Sequence, residues 1–333
     1  MKVMLITGSY PPDVCGTADY TARLSESIQS QGVEVEVFYR KRWGLTHVRS
    51  LLREIAHSKP DVLHMQYPTT GYGWKLGPQA IGTLKPLVVT LHEASQSHIM
   101  RQFSLYPFLL RSRHFIFTNP YERAHVARLA PWIAGRSTDI PIGCNLPIAA
   151  RQAKLMGIIT CFSIIRPNKG LEDVVEAGRL LQAQGSTVRI RVIGAVKLGF
   201  EDYFDKLKAA SEGLPIDWIT GLDDETLSRV LAGTRLAYLP FPDGASERRS
   251  SLVAMLMNQA CVLTTVGNHT PEDMRSGIIA VASPKEAVAR AQVLLCQPEE
   301  MESVAALGAA YAQRFNWDSI GQRHLDVYKD VLL

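Results

Sequence analysis

The stretch 236–265 constrains the fold most, because it reads as a strand, a turn, a helix and a second strand in close succession. Its apolar runs at 236–239 and 260–263 have the length of buried strands, and a helix opens near Ser250 between them. Continuous apolar runs of this kind are typical of strands buried on both faces of a parallel sheet. The stretch therefore predicts one βαβ unit.

The same alternation of apolar runs and amphipathic stretches continues along the whole chain. Further strands are predicted at 2–7, 33–39, 61–66, 86–91, 114–118, 157–162, 188–193, 216–220 and 278–281. Helices are predicted at 17–30, 45–56, 121–129, 171–182, 200–210, 223–232, 285–296, 299–314 and 317–328. Strands that alternate with helices favour doubly wound parallel sheets, in which ligands bind beyond the carboxyl ends of the strands.

A linker-like stretch at 140–147 divides this pattern into two halves. We therefore predict an α/β protein of two Rossmann-like domains, residues 1–148 and residues 149–316, facing a cleft that holds the ligand.

Charge and composition narrow the class of protein. The net charge is +4, and residues 1–148 carry 16 basic and 10 acidic side chains, against 20 and 22 in residues 149–333. The basic first half could face an anionic acceptor or an inner membrane surface, although a solvated surface is the favoured explanation. The sequence starts with a strand rather than a signal-peptide core, and no run approaches the roughly 18 apolar residues of a spanning helix. Five scattered cysteines favour reduced thiols in a cytoplasm, and no motif indicates nucleic acid.

The turn before Ser250 is a candidate anion site. A strand, a glycine turn and a helix start present free backbone N–H groups to an anion. Ser250 and Ser251 add hydroxyl donors, and Arg248 and Arg249 add positive charge just ahead of them. The alternative is an ordinary α/β turn in which the arginines solvate a loop.

Three other positions carry candidate chemistry. Arg166 and Lys169 share one βα turn, which suits a diphosphate unless it is merely a solvated basic turn. Gly16 opens the first helix and could let a phosphate or a sugar approach the backbone, or it could be a plain turn glycine. His92 follows an apolar strand and could contact a substrate hydroxyl, unless it is a structural histidine. His64 lies inside a strand and is expected to face the core.

Several common motifs are absent from the sequence. No Gly-x-Gly-x-x-Gly follows the first strand, and no Walker motif or Gly-x-Ser-x-Gly elbow occurs. No acidic pair or His-x-x-x-His has the spacing of metal ligands. These absences disfavour dinucleotide binding, P-loop chemistry, serine hydrolysis and a metal-dependent mechanism.

A set of motifs in constant order resembles a known family. They are YPPDVCGTADY (10–20), DVLHMQYP (61–68), VTLHE (89–93), IPIGCN (140–145), RPNKG (166–170), ITGL (219–222), LPFPDGAS (239–246), TTVG (264–267) and YAQRFNWD (311–318). Over nearly its whole length the chain resembles GT-B glycosyltransferases of family 4, which are retaining enzymes that use nucleotide-sugar donors. The fold that this resemblance implies is GT-B, in which the last helix, at about 317–333, is expected to pack back on the first domain.

The resemblance also implies roles for individual residues. The catalytic group would be His92 on the donor sugar, with Arg166 and Lys169 on the diphosphate. The donor-binding residues would be Gly16 near the phosphates or sugar, Gly221 and Leu222 at the base, Asp243, Gly244, Ala245, Ser246 and Glu247 at the sugar hydroxyls, and Arg249, Ser251 and Leu252 at the phosphates.

The chain departs from the family pattern at a few positions. The second glutamate of the family's acidic pair, which binds the ribose, is replaced by Val253. The first glutamate of that pair corresponds to either Asp243 or Glu247. The usual Gly-Thr-Pro has Asn258 and Ala260 in its outer positions. The chain resembles a variant form with Arg-Pro before the lysine and Arg-Arg in the later loop.

The resemblance implies a retaining, metal-independent hexosyltransferase without a cofactor. It would move a hexose, glucose by expectation, from a UDP-sugar to a hydroxyl of a glycan or lipid-linked acceptor, forming an α linkage in polysaccharide or glycoconjugate biosynthesis. Two alternatives stay open: a UDP-sugar epimerase on the same fold, and a non-catalytic nucleotide-sugar-binding protein. Peripheral membrane contact through the basic first domain is a further expectation.

Overall fold

The computed structural model describes residues 1–13, 15–85, 87–92, 94–96, 98–146, 149–150 and 152–333. Four residues named by number or motif above, Val14, Pro86, Glu93 and Pro147, lie outside the described residues, as does position 148 at the predicted domain boundary. The chain forms two compact units: Met1–Gly143 together with Arg314–Leu333, and Cys144–Gln313. Within the described ranges, no helix combines the length and the apolar character that crossing a bilayer requires.

The first unit contains a parallel six-stranded sheet in the order β2-β1-β3-β4-β5-β6. Its strands are β1 (Lys2–Thr7), β2 (Glu34–Tyr39), β3 (Val62–Tyr67), β4 (Val88–Leu91), β5 (His114–Phe117) and β6 (Ser137–Asp139). Its helices are α1 (Gly16–Ser30), α2 (Val48–Ser58), α3 (Gly77–Leu84), α4 (Ile99–Phe103), α5 (Tyr106–Arg111), α6 (Pro120–Leu129) and α13 (Trp317–Leu332). Short 3-10 helices lie at Leu45–His47, Thr70–Tyr72, Ala94–Gln96 and Pro131–Arg136.

Helix α13, from the end of the chain, completes the core of the first unit. Ile320 and Tyr328 are fully buried in one apolar cluster with Tyr20 and Leu24 of α1. The two helices approach closely at Gly321, where a Cβ would lie 2.2 Å from Ser27 Oγ. The final helix therefore packs on the first unit.

The second unit repeats the architecture, with a parallel six-stranded sheet in the order β12-β11-β10-β7-β8-β9. Its strands are β7 (Leu155–Phe162), β8 (Arg189–Ile193), β9 (Ile216–Ile219), β10 (Thr234–Leu239), β11 (Cys261–Thr264) and β12 (Ile279–Ala280). Its helices are α7 (Leu171–Ala183), α8 (Glu201–Ala210), α9 (Asp224–Ala232), α10 (Ser250–Met257), α11 (Pro284–Cys296) and α12 (Pro298–Ala312). From β7 the chain continues to β8 and β9 on one side of the sheet and then to β10, β11 and β12 on the other. The β7/β10 junction is therefore a topological switch point.

The predicted fold class, two parallel α/β sheets, is confirmed, and the differences are local. The helix predicted at 45–56 starts with a 3-10 turn, so that α2 begins only at Val48. The strand predicted at 278–281 shortens to β12. Helices α3, α4 and α5 and strand β6 were not predicted, because they are short and lie in stretches without sustained periodicity.

Candidate functional site

A cavity of the second unit lies at the carboxyl end of its sheet. Its volume is about 340 Å³. One part of its lining is apolar and comes from the ends of β7, β8 and β9 and from the start of α9, namely Phe162, Ile193, Ile219, Leu222 and Leu227. The other part is polar and comes from Lys169 and from the loop that opens α10, namely Arg248, Arg249, Ser250 and Ser251. An apolar compartment beside a cationic one suits a ligand with an aromatic end and an anionic end.

Close backbone packing shapes the cavity wall between β7 and β8. Gly194 N–H donates to the Ile219 carbonyl over 3.1 Å, and Ser163 N–H donates to the Ile193 carbonyl over 3.0 Å. A Cβ at Gly194 would lie 1.8 Å from the Ser163 oxygen, so that only glycine fits there. The wall at this point is therefore backbone, which leaves room for a ligand.

The first turn of α10 faces the cavity. Ser250 and Ser251 line it, and the first intrahelical bond runs from Val253 N–H to the Arg249 carbonyl. No side chain within the described ranges caps this end of the helix. The N–H groups ahead of Val253 therefore have no partner inside the helix and carry the positive end of its dipole. This arrangement is a candidate anion site.

Three cations gather beside this helix start. Burial, and then the positive charges of Arg249 and Arg166, lower the pKa of Lys169. Burial and the charge of Arg166 likewise lower the pKa of Arg249. Lys169 and Arg249 line the cavity, and Arg166 adjoins them. Their mutual repulsion would be relieved by a bound anion.

The predicted sugar-binding loop has its side chains engaged within the second unit. Asp243 is exposed and forms an ion pair with Arg249. Glu247 accepts a hydrogen bond of 2.7 Å from the Tyr311 hydroxyl. Gly244 has a φ of +88°, and a Cβ there would lie 2.3 Å from the Gly267 nitrogen. The loop is thus held in one shape.

Hydrogen bonds fix the rest of this loop. Ala245 N–H donates to the Thr265 carbonyl over 2.8 Å, and the Ala245 carbonyl accepts from Thr270 Oγ1 over 2.7 Å. The Ser246 carbonyl accepts from Arg249 N–H over 3.0 Å. The loop therefore holds Arg249 through contacts with the side chain and with the backbone of that residue.

The cavity unites some of the predicted residues and leaves others beside it or in the first unit. Lys169, Gly221, Leu222, Arg249 and Ser251 line it. Leu252 and Val253 are buried on α10 and are not among the residues that line the cavity. Gly16 and His92 belong to the first unit.

Sequence reasoning predicted Leu222 but missed most of the other residues that line the cavity. Ile219 and Leu227, with Gly194 and Asp224, were not singled out. A signal was present, because Ile219 and Gly194 stand at the ends of predicted parallel strands, where ligands bind.

In the first unit, His92 lies at the carboxyl end of β4, held by its neighbours. Its backbone N–H donates to the Tyr67 carbonyl over 2.8 Å, and its Nε2–H donates to Gln66 Oε1 over 2.9 Å. The ring meets Tyr20 edge-on at 4.9 Å between centroids. Burial, with a smaller contribution from His324, lowers the pKa of His92 to about 3. His92 is therefore neutral, and its Nδ1 is left as an acceptor.

Gly16 lies at the start of α1. Nothing in the described part of the chain lies within 4 Å of a Cβ built there. Packing within the first unit therefore does not require glycine at this position.

Behind His92 lies a buried polar network that links the sheet to α13. Gln66 Nε2 lies 3.2 Å from His64 Nε2, and His64 Nδ1 lies 2.6 Å from the Tyr328 hydroxyl. His324 donates from Nδ1 to the Ile320 carbonyl over 2.8 Å, so its Nε2 accepts from the Tyr20 hydroxyl over 3.1 Å. His64 is fully buried, as expected from its place in the strand.

Comparison with known proteins adds the fold family. No family model matches the sequence, and no curated protein matches it significantly. Among solved structures, HepE of Anabaena in complex with UDP and glucose aligns over 99% of this chain and 100% of its own, with a TM-score of 0.62 at 15% identity. A glycosyltransferase of Rickettsia africae aligns over 99% and 98%, with a TM-score of 0.73 at 10% identity. The chain has the GT-B fold.

A third similar structure supports the same assignment. Sucrose-phosphate synthase of Thermosynechococcus elongatus aligns over 99% of each chain, with a TM-score of 0.63 at 18% identity. Because every one of these identities is low, the similarity establishes the GT-B fold and leaves the activity to be argued from the site.

Proposed function

We propose that the protein is a glycosyltransferase that takes a hexose from a nucleotide-sugar donor. The observation that carries this proposal is the cavity of the second unit, in which an apolar compartment adjoins Lys169, Arg249 and the start of α10. A nucleoside diphosphate has this combination of a flat base and a strong anion. UDP-glucose is the favoured donor, because HepE, which has the same fold, has been solved with UDP and with UDP-glucose.

The donor would lie with its base between the strand ends. Ile193, Ile219 and Leu227 would cover the base, and the backbone at Gly221 and Leu222 would offer hydrogen bonds to its edge. The diphosphate would bind the first N–H groups of α10, as anions do at helix starts.

Catalysis would come from stabilising the leaving diphosphate. As the bond from the sugar carbon to the diphosphate oxygen breaks, negative charge develops on that oxygen beside Lys169, Arg166 and Arg249. The acceptor hydroxyl forms the new bond to the same carbon and gives its proton to the departing oxygen. We propose retention of configuration and an α linkage. These three cations would supply the positive charge that a metal ion supplies elsewhere, hence a metal-independent reaction.

His92 would bind the donor sugar as a hydrogen-bond acceptor. Its Nε2–H is committed to Gln66, and its low pKa keeps Nδ1 unprotonated at neutral pH. A sugar hydroxyl would therefore donate to Nδ1.

The acceptor substrate would be a hydroxyl of a glycan or a lipid-linked sugar, in the synthesis of a polysaccharide or glycoconjugate.

A second candidate is a non-catalytic nucleotide-sugar-binding protein. Val253 is 3% exposed inside α10, so its position offers no group to the ribose.

A UDP-sugar epimerase would instead convert the donor without an acceptor. Incubation with the donor separates them: the transferase releases UDP when acceptor is added, the epimerase changes the sugar alone, and the binder does neither.

The donor is tested by a thermal-shift panel of UDP, GDP, ADP and TDP, each free and sugar-linked, with and without EDTA. A ligand that binds only the folded state raises the melting temperature. We expect UDP and UDP-glucose to give the largest shifts, unchanged by EDTA. Equal shifts from all bases, or none from any, would contradict the proposed donor.

Replacing Lys169 by alanine should separate binding from stability. Loss of a charge-assisted contact to the diphosphate should weaken donor binding by about 1.5–3 kcal/mol, or roughly 10- to 150-fold. Because Lys169 is repelled by Arg249 and Arg166, the ligand-free variant should melt no lower than the parent. Calorimetric titration with UDP measures the first effect, and calorimetric melting measures the second.

The matched control is Lys206→Ala, since Lys206 is an exposed lysine on α8 of the same unit. It should leave the affinity for UDP unchanged. An unchanged affinity in Lys169→Ala would remove Lys169 from the donor site.

A further inference from the structure

A chain of buried side chains connects His92, at the end of β4, with Tyr328 on α13. His92 Nε2 lies 2.9 Å from Gln66 Oε1, and Gln66 Nε2 lies 3.2 Å from His64 Nε2. His64 Nδ1 in turn lies 2.6 Å from the Tyr328 hydroxyl oxygen. His64, Gln66 and Tyr328 are closed to solvent, so each N–H group among them must find its acceptor within the protein. The positions of the protons along this chain are therefore coupled.

The side-chain amide of Gln66 gives the chain its direction. Its oxygen can only accept, so His92 carries its proton on Nε2, and its nitrogen can only donate, so His64 Nε2 is an acceptor. Burial lowers the pKa of both histidines, which keeps each ring neutral with a single proton. His64 therefore carries that proton on Nδ1 and donates it to the Tyr328 oxygen. At the other end of the chain, His92 is left with an unprotonated Nδ1.

The same side chains allow one reversed arrangement. If His64 carries its proton on Nε2, the Gln66 amide turns over and offers its oxygen to that N–H group. The amide nitrogen then donates to His92 Nε2, and the proton of the His92 ring lies on Nδ1. Thr90, whose hydroxyl oxygen lies 2.7 Å from His64 Nε2, fits both arrangements because a hydroxyl donates and accepts. The direction of the chain thus sets whether His92 Nδ1 is an acceptor or a donor.

We propose that Tyr328 and Gln66 are positioning residues that together make His92 present an unprotonated Nδ1 to the donor sugar. Tyr328 acts without contacting the sugar, because its oxygen is the acceptor that keeps the His64 proton on Nδ1. The last helix of the chain thereby contributes to recognition of the donor. The inference rests on the proposed function for the identity of the ligand, whereas the control of the tautomer rests on the hydrogen bonds alone.

Tyr328→Phe is the first test, because it removes the hydroxyl and keeps the ring. His64 Nδ1–H then lacks its acceptor, and a buried N–H group without a partner is costly. The reversed arrangement gives each N–H group of the chain an acceptor, so we expect the His92 proton to move to Nδ1. Nitrogen NMR of protein with isotope-labelled histidine measures this change in the absence of any ligand, and His92→Gln identifies the His92 signals.

Calorimetric titration with UDP and with UDP-glucose separates binding of the sugar from binding of the nucleotide. UDP would bind in the second unit, so Tyr328→Phe should bind it as the parent does. UDP-glucose should bind roughly 3- to 10-fold more weakly, because its hydroxyl must turn to accept from Nδ1–H and its own hydrogen loses a partner.

The matched control is Tyr72→Phe. Tyr72 is buried in the same unit, and its hydroxyl donates to the Ile6 carbonyl over 3.3 Å, outside the chain that leads to His92. This variant also loses one buried hydroxyl, but it should leave the His92 signals and both affinities unchanged. Circular dichroism checks that each variant is folded.

The part played by Gln66 is tested by repeating the tyrosine exchange in a Gln66→Leu background. Leucine cannot pass a hydrogen bond between the two histidines, so adding Tyr328→Phe should no longer move the His92 signals. A change of the same size as in the parent background would show that the coupling bypasses Gln66, against the proposal.

Several other results would overturn the proposal. One is a parent protein in which His92 carries its proton on Nδ1, a measurement that requires no variant to fold. Others are unchanged His92 signals in Tyr328→Phe, equal changes in Tyr72→Phe, or a reversed tautomer with unchanged affinity for UDP-glucose. If the parent binds neither UDP nor UDP-glucose, the proposed function fails, and the nitrogen signals still support or overturn the control of His92 by Tyr328.

Discussion

Acidification from about pH 7 to about pH 5 should cost the protein roughly 4 kcal/mol of unfolding free energy from His92 and His324 alone. Burial lowers the pKa of His92 to about 3 and that of His324 to about 4, and it lowers the pKa of His64 well below its usual value. As the pH falls below about 6.5, these histidines take up protons in the unfolded chain, whereas in the folded protein the same histidines stay largely neutral. The unfolded state is therefore favoured progressively until the pH reaches the folded pKa values.

The expected loss of unfolding free energy is large because it is a substantial part of the total stability of a typical domain. Each of His92 and His324 contributes about 2 kcal/mol by about pH 5, and His64 adds to them with the same sign. Domains are typically stable by about 5–15 kcal/mol. Urea unfolding at a series of pH values measures the loss, and hydrogen exchange should place it in α13 and its contacts with the sheet.

The matched variants are His324→Gln and His57→Gln. His324→Gln removes one buried titrating group, so its stability should be lower at neutral pH and fall less steeply with acid. His57 is exposed on α2, and its replacement should leave the slope unchanged. A slope in His324→Gln equal to that of the parent would contradict the assignment of the acid sensitivity to this network.

Gly194→Ala should destabilise the second unit and abolish donor binding together. The new Cβ would lie 1.8 Å from the Ser163 oxygen and 2.8 Å from the Ser163 carbonyl carbon, both of which are backbone atoms. Relief requires separating the ends of β7 and β8, which form the cavity wall. We expect a loss of about 3 kcal/mol or more, at the upper end of overpacking effects. Calorimetric melting and titration with UDP measure the two losses.

Gly221→Ala is the control on the same cavity. Gly221 has a φ of +74°, and nothing in the described part of the chain lies within 4 Å of a Cβ there. Its replacement should cost only the left-handed backbone penalty, about 1–2 kcal/mol. If Gly194→Ala melts no lower than Gly221→Ala, close packing does not govern this wall.

The sequence predicted the sheets well because their strands are short and continuously apolar. The runs 236–239 and 260–263 became the neighbouring strands β10 and β11. By contrast, helices α4 and α5 are five and six residues long, too short for a periodic pattern to be read. Helix α5 is stabilised by packing on α3, where Phe108 lies against Gly82.

Part of the candidate site was also predictable. Lys169 and Ser251 both lie in segments that follow parallel strands, so that topology alone brings them to one edge of the sheet. Glu247 and Tyr311 are 64 residues apart, and Tyr20 and His324 are 304 apart, so no local pattern joins either pair. These pairings arise from tertiary packing. The tautomer and the pKa of His92 depend on tertiary contacts in the same way.

The return of α13 to the first unit also sets the order in which the chain can fold during synthesis. When Gly143 leaves the ribosome, Tyr20 and His64 still lack Tyr328 and His324, and about 170 residues of the second unit must be translated first. At usual elongation rates this wait lasts roughly 10–30 s. The second unit is continuous in sequence and can fold as soon as it emerges. A nascent first unit would therefore be the part of the chain that chaperones hold longest.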